Sequence, residues 1–133
     1  MSKMNPVVHF EMPAIDRNRM ADFYTGVFGW KAQLLGEEMG HYVTVATAET
    51  DERGMIKTPG AINGGFYPLT ADAPAHPSVV IAVDDIHESM QKVSAAGGKV
   101  LGEPMPIPGV GKYVSFLDTE GNRVSLLQPE MNR

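Results

Sequence analysis

The chain has 133 residues, 43% hydrophobic and 20% charged, which is the size and balance of one globular domain. Its formal net charge of −5, with no cluster of Lys or Arg, excludes the concentrated positive charge that nucleic acids and anionic membranes require. Having no cysteine, it cannot carry a disulfide framework, a thiolate metal site or a Cys nucleophile.

The N-terminus, MSKMNPVVHF, lacks the apolar core of a secretory signal, and no apolar run is long enough to span a bilayer, so a cytoplasmic protein is expected. Val7–Met12 reads as a strand. Ile15-Asp16 opens a helix to about Phe28, with Asp16 as N-cap and Met20, Phe23, Tyr24, Val27 and Phe28 forming an apolar face. Trp30–Leu35 and His41–Thr47 read as strands, ETDERGMIKTPGA as a long loop, and Ile62–Leu69 as a glycine-bearing strand.

After the linker TADAPAHP a second round begins. Ser78–Val83 is a strand, Asp85-Ile86-His87 starts a helix to about Ala96, and Gly97-Gly98 ends it. Lys99–Gly102, Gly111–Leu117 and Arg123–Gln128 are strand candidates, the last two joined by the turn DTEGN. The rounds repeat: GHYVTV matches GKYVSF, and Asp16 falls on Asp85. Either half alone would leave a sheet face exposed, so pairing them buries a core. The expected fold is α+β: two tandem βαβββ modules, about residues 6–70 and 77–130 of a single domain 1–133, with a curved mixed sheet around a cavity and helices outside.

Three segments in this order, HFEMPAIDRNRMADFYTGVFGW, VVIAVDDI and LDTEGNRVSLLQP, resemble the vicinal oxygen chelate superfamily of glyoxalases, bleomycin-resistance proteins and extradiol dioxygenases. The resemblance runs from about Val8 to Pro129. In the metal-dependent members four ligands line the cavity, two from each module. By this resemblance their places fall to His9, Gly64 (or Gly65 with the register moved by one), Ser78 and Ser125. Only His9 is of ligand type, since neutral hydroxyls are poor substitutes for imidazole and carboxylate. The inherited metal site is therefore expected to be dismantled, with no metal and no cofactor.

His9 and Glu11 share a strand face, which suggests a wet cavity wall rather than a dry core. The glycines of NGGF remove bulk from that wall. The expected ligand-binding set is His9, Glu11, Gly64, Ser78 and Ser125. His41 is the one further imidazole that a rebuilt metal site with His9 and Glu11 would recruit, and its place after a glycine turn argues against it. Tyr42 and Tyr113, as repeat partners, are expected to be structural; Glu37-Glu38 reads as a solvated turn, and PGVGKY lacks the spacing of a phosphate cradle. Two functions follow: a protein that binds a small organic ligand between the modules, or an enzyme of lyase, isomerase or dioxygenase type with His9 as base or as part of a rebuilt metal site. A homodimer is implied by the resemblance, and no nucleic acid or membrane partner is expected.

Overall fold

A computed structural model of the chain describes residues 4–53 and 55–130. Gly54, within the long loop, and both extreme termini lie outside the described residues. The structure has two compact units, His9–Pro77 and, together with the residues up to Val8, the chain from Ser78 onward. It is an α+β fold of two successive βαβββ modules.

The first module comprises β1 (Val7–Ala14), α1 (Arg17–Phe28), β2 (Lys31–Leu34), β3 (Val43–Ala46) and β4 (Asn63–Pro68). Asp16 caps α1 as expected, its carboxylate accepting the Arg19 amide at 3.1 Å. Gly29 ends the helix in the left-handed region, φ 75°, donating to the Thr25 carbonyl. The strand order is β2-β3-β4-β1, with β1 and β4 parallel and the other pairs antiparallel. Val43, Val45, Phe66 and Ala14 form the buried core, with Phe10, Met12, Met20, Tyr24 and Trp30 packed against it. Trp30 stacks on Tyr24 with ring centroids 4.7 Å apart, so it is a core residue.

The strand expected over His41–Thr47 is shorter than its sequence pattern. A single 3-10 turn, Glu37–Met39, precedes it, and His41 sits at φ 56°, outside the strand region. Arg17 holds this corner by donating to the carbonyls of Leu35, at 2.6 Å, and His41, at 3.1 Å. Hydrogen bonds tie the described residues of the long loop together. Asp51 accepts the amides of Arg53 and Met55, and Thr50 bridges to Ile56.

The second module comprises β5 (Ser78–Ala82), α2 (Ile86–Ala95), β6 (Lys99–Ile107), β7 (Gly111–Leu117) and β8 (Arg123–Pro129), in the order β5-β8-β7-β6. Asp85 caps α2, and the Gln128 side chain accepts the Ile86 amide at 2.9 Å. Val83, Ile86, Val114, Phe116 and Leu126 form its core. Strand β6 runs five residues beyond the expected Lys99–Gly102. Its register shifts between Leu101 and Met105, around Gly102 at φ 93°, before pairing resumes through Pro106. An edge position tolerates prolines that a central strand would not. The DTEGN turn is held by Asp118, which accepts the amides of Glu120 and Asn122. These hydrogen bonds keep its carboxyl below the usual carboxylate range.

Candidate functional site

Strand alternation sorts the first module's residues into two faces. Phe10 pairs with Gly64 and Met12 with Phe66, on the face that packs against α1. His9 pairs with Asn63 and Glu11 with Gly65, on the opposite face. Thr44 opposes Gly65 on β3, which places Tyr42, two residues earlier, on this face as well.

There a hydrogen-bond chain forms. His9 Nε2 lies 3.0 Å from Tyr42 Oη, and Tyr42 Oη donates to Glu11 Oε2, also at 3.0 Å. Both His9 and Glu11 are partly buried. Burial pushes the His9 imidazole below its usual value, and the Glu11 carboxylate only partly offsets this. At neutral pH the ring is therefore uncharged.

Gly65 makes this chain possible. A Cβ at position 65 would lie 2.0 Å from Tyr42 Oη and 2.2 Å from the adjoining ring carbons, so the phenol occupies the space a side chain would need. Gly64 serves the other face, where a Cβ would meet the Phe10 ring at 2.4 Å. This corrects the first assignment of the repeat. In the first module Glu11 pairs with Gly65; in the second Val80 pairs with Ser125. Gly65, the alternative one residue on, is thus the counterpart of Ser125, and Gly64 faces the core.

In the second module Ser125 Oγ donates to Tyr113 Oη at 2.7 Å and lies 2.9 Å from Ser115 Oγ. Ser125 is 2% exposed and Ser115 6%. Ser78, half-buried, begins β5. Both repeat tyrosines, expected to be structural, therefore bond candidate site residues: Tyr42 to His9 and Glu11, Tyr113 to Ser125. The signal was available in their matched positions, which put each phenol two residues before a residue facing Gly65 or Ser125.

These residues do not fit the metal that the resemblance implies. The Nε2 of His9 is engaged by a phenol, position 65 has no side chain, and the Ser125 hydroxyl is taken up by two other hydroxyls. The rebuilt set of His9, Glu11 and His41 is not assembled either. His41 is exposed, and among the described residues no three His, Cys, Asp or Glu side chains are grouped to hold an ion. His76 and His87 are exposed.

Comparison with known proteins accords with the fold. The chain is 32% identical over 117 residues to the anthracycline biosynthesis protein DnrV of Streptomyces peucetius, covering 84% of this chain and 42% of that protein. It is 30% identical over 120 residues to a lactoylglutathione lyase of Oryza sativa subsp. japonica, covering 84% of this chain and 40% of that protein. The chain thus spans about two fifths of the length of both relatives. A crystal structure of methylmalonyl-CoA epimerase superposes with a TM-score of 0.71 at 17% identity, covering 98% of this chain and 100% of the other. The family model matches residues 7–126, and the chain belongs to the Glyoxalase/Bleomycin resistance protein/Dioxygenase superfamily.

Proposed function

We propose that this protein binds a small organic ligand against the His9–Tyr42–Glu11 face of its first module, with the metal site of the superfamily largely lost. The observation that carries the reading is the phenol of Tyr42 lodged over Gly65. It engages the one imidazole at an inherited ligand position and fills the space where a side chain at position 65 would stand. A half-buried face bearing an imidazole, a phenol and a carboxylate suits polar recognition. Gly64, Ser78 and Ser125 complete the expected set only as wall positions, with Gly65 taking the role first given to Gly64. The proposal includes pairing into a homodimer, without nucleic acid or membrane partners.

Elemental analysis of protein purified without a histidine tag tests the metal half of the reading. Substoichiometric metal is expected; one tightly held zinc, nickel, iron or manganese per chain refutes it. The second reading is catalysis with His9 as general base, favoured by an imidazole that burial keeps neutral and by the lyase name among its relatives. A His9→Ala variant that keeps ligand affinity but loses turnover establishes that reading in place of simple binding.

A further inference from the structure

Tyr42 stands just outside the sheet. Strand β3 begins at Val43, and its pairing with β4 starts there, Val43 with Phe66. The Tyr42 backbone is held instead by the corner that precedes β3. Its amide donates to the Met39 carbonyl at 3.3 Å, and its carbonyl accepts the Leu35 amide at 2.9 Å. Where the phenol lies against His9 and Glu11 therefore depends on the shape of that corner.

The corner is strained at one residue. Gly40 and His41 follow one another at positive φ, 65° and 56°, inside a tight turn from Met39 to Tyr42. Glycine enters the left-handed region freely, whereas a residue with a Cβ meets its own backbone there. Local sequence does not impose this conformation. In the matched stretch GKYVSF, Lys112 takes the place of His41, and Lys112 lies in β7, paired with Pro106 and Gln128. The two modules differ at the first residue of the preceding helix. With Asp16 set against Asp85, Arg17 corresponds to Ile86, which is buried in the core of the second module. Arg17 Nη1 instead donates to the carbonyls of Leu35, at 2.6 Å, and His41, at 3.1 Å. Both carbonyls belong to residues that hold Tyr42: His41 precedes it in the chain, and Leu35 gives it an amide proton.

We propose that Arg17 is a positioning residue for this site, pinning His41 in the left-handed region and thereby setting the Tyr42 phenol over Gly65, against His9 and Glu11. Its importance for ligand binding rests on the small-ligand reading above; its hold on Tyr42 does not. A guanidinium suits the task, because one of its nitrogens carries two N–H groups, one for each carbonyl. Its charge also makes both hydrogen bonds stronger than neutral ones.

The ring signals of the four histidines, recorded by NMR on the full chain at pH 7.5, test the proposal. The His9 signals are those lost in His9→Gln, and Tyr42→Phe marks where they move when the phenolic hydroxyl is gone. In Arg17→Met they are expected to cover about half or more of that distance, because the bonds opposing the strain at His41 are removed. Adding His41→Gly should bring them back towards the wild-type position, since glycine holds the turn without the clamp. His9 signals unmoved in Arg17→Met overturn the proposal, and so does a double variant no closer to wild type than the single. An Arg17→Met protein too unstable to give a spectrum must be restored by His41→Gly; if it is not, the proposal falls. These outcomes leave the small-ligand reading intact. If Tyr42→Phe itself leaves the His9 signals in place, the contact that carries that reading falls as well.

Discussion

Replacing Gly65 with alanine tests the central relation in the site. The added methyl would sit 2.0 Å from Tyr42 Oη, far inside van der Waals contact. The obstacle is the end of a side chain, so the backbone can stay in place while the phenol swings away. The cost is then that of expelling Tyr42. Its hydrogen bonds to His9 and Glu11 are each worth about 1 kcal/mol net, the one to the carboxylate somewhat more, and the ring loses part of its burial. A destabilisation of about 2–3 kcal/mol follows. A chain of this length has an unfolding entropy of about 0.28 kcal/mol/K, so the melting temperature should fall by roughly 7–11 °C. Gly26→Ala is the control: it lies in α1 with open space around it, and alanine there should stabilise by about 0.5–1 kcal/mol. Thermal unfolding of Gly65→Ala, Tyr42→Ala and the double variant completes a cycle. With the phenol already gone the methyl fits, so the double variant should be more stable than the sum of the singles by about 1–2 kcal/mol. Additive effects, or a Gly65→Ala protein as stable as Gly26→Ala, would refute the account of Gly65 as the seat of Tyr42.

Ser125→Ala should cost about 1–3 kcal/mol in a denaturant titration, because it strips a partner from the buried Ser115 hydroxyl; Ser115→Ala/Ser125→Ala should recover part of that loss, and a larger loss in the double would contradict the pairing. The His9 shift has a pH signature of definite sign. Its folded-state pKa lies below the unfolded value, so the folded protein binds fewer protons. Its contribution is complete above the unfolded pKa of about 6.5 and is lost as pH falls through the folded value. Wild-type stability measured from pH 7.5 down to 5 should therefore decline more steeply than that of His9→Gln, and parallel curves would remove the assignment of a desolvated imidazole.

Much of this protein is legible in its sequence because the signals are local. Asp16 and Asp85 precede apolar helical stripes, Gly29 follows one, and the alternation VVHFEM assigns Phe10 and Met12 to one face and His9 and Glu11 to the other before any fold is known. Matching the two rounds sets His9 opposite Ser78 and a glycine of NGGF opposite Ser125, and by the family resemblance three of these four inherited ligand positions lack ligand chemistry. Tertiary structure decided what lies between those positions. Glycines 64 and 65 read alike in the sequence, and only the pairing of β1 with β4 sends one towards Phe10 and the other under Tyr42. Tyr42 is thirty-three residues from His9, and whether its hydroxyl points to the core or to the site depends on strand register, in which one step reverses every side chain. Composition and spacing thus determined the modules, and the family resemblance implied the depleted ligand set. The chain from imidazole to phenol to carboxylate came only from three strands brought side by side.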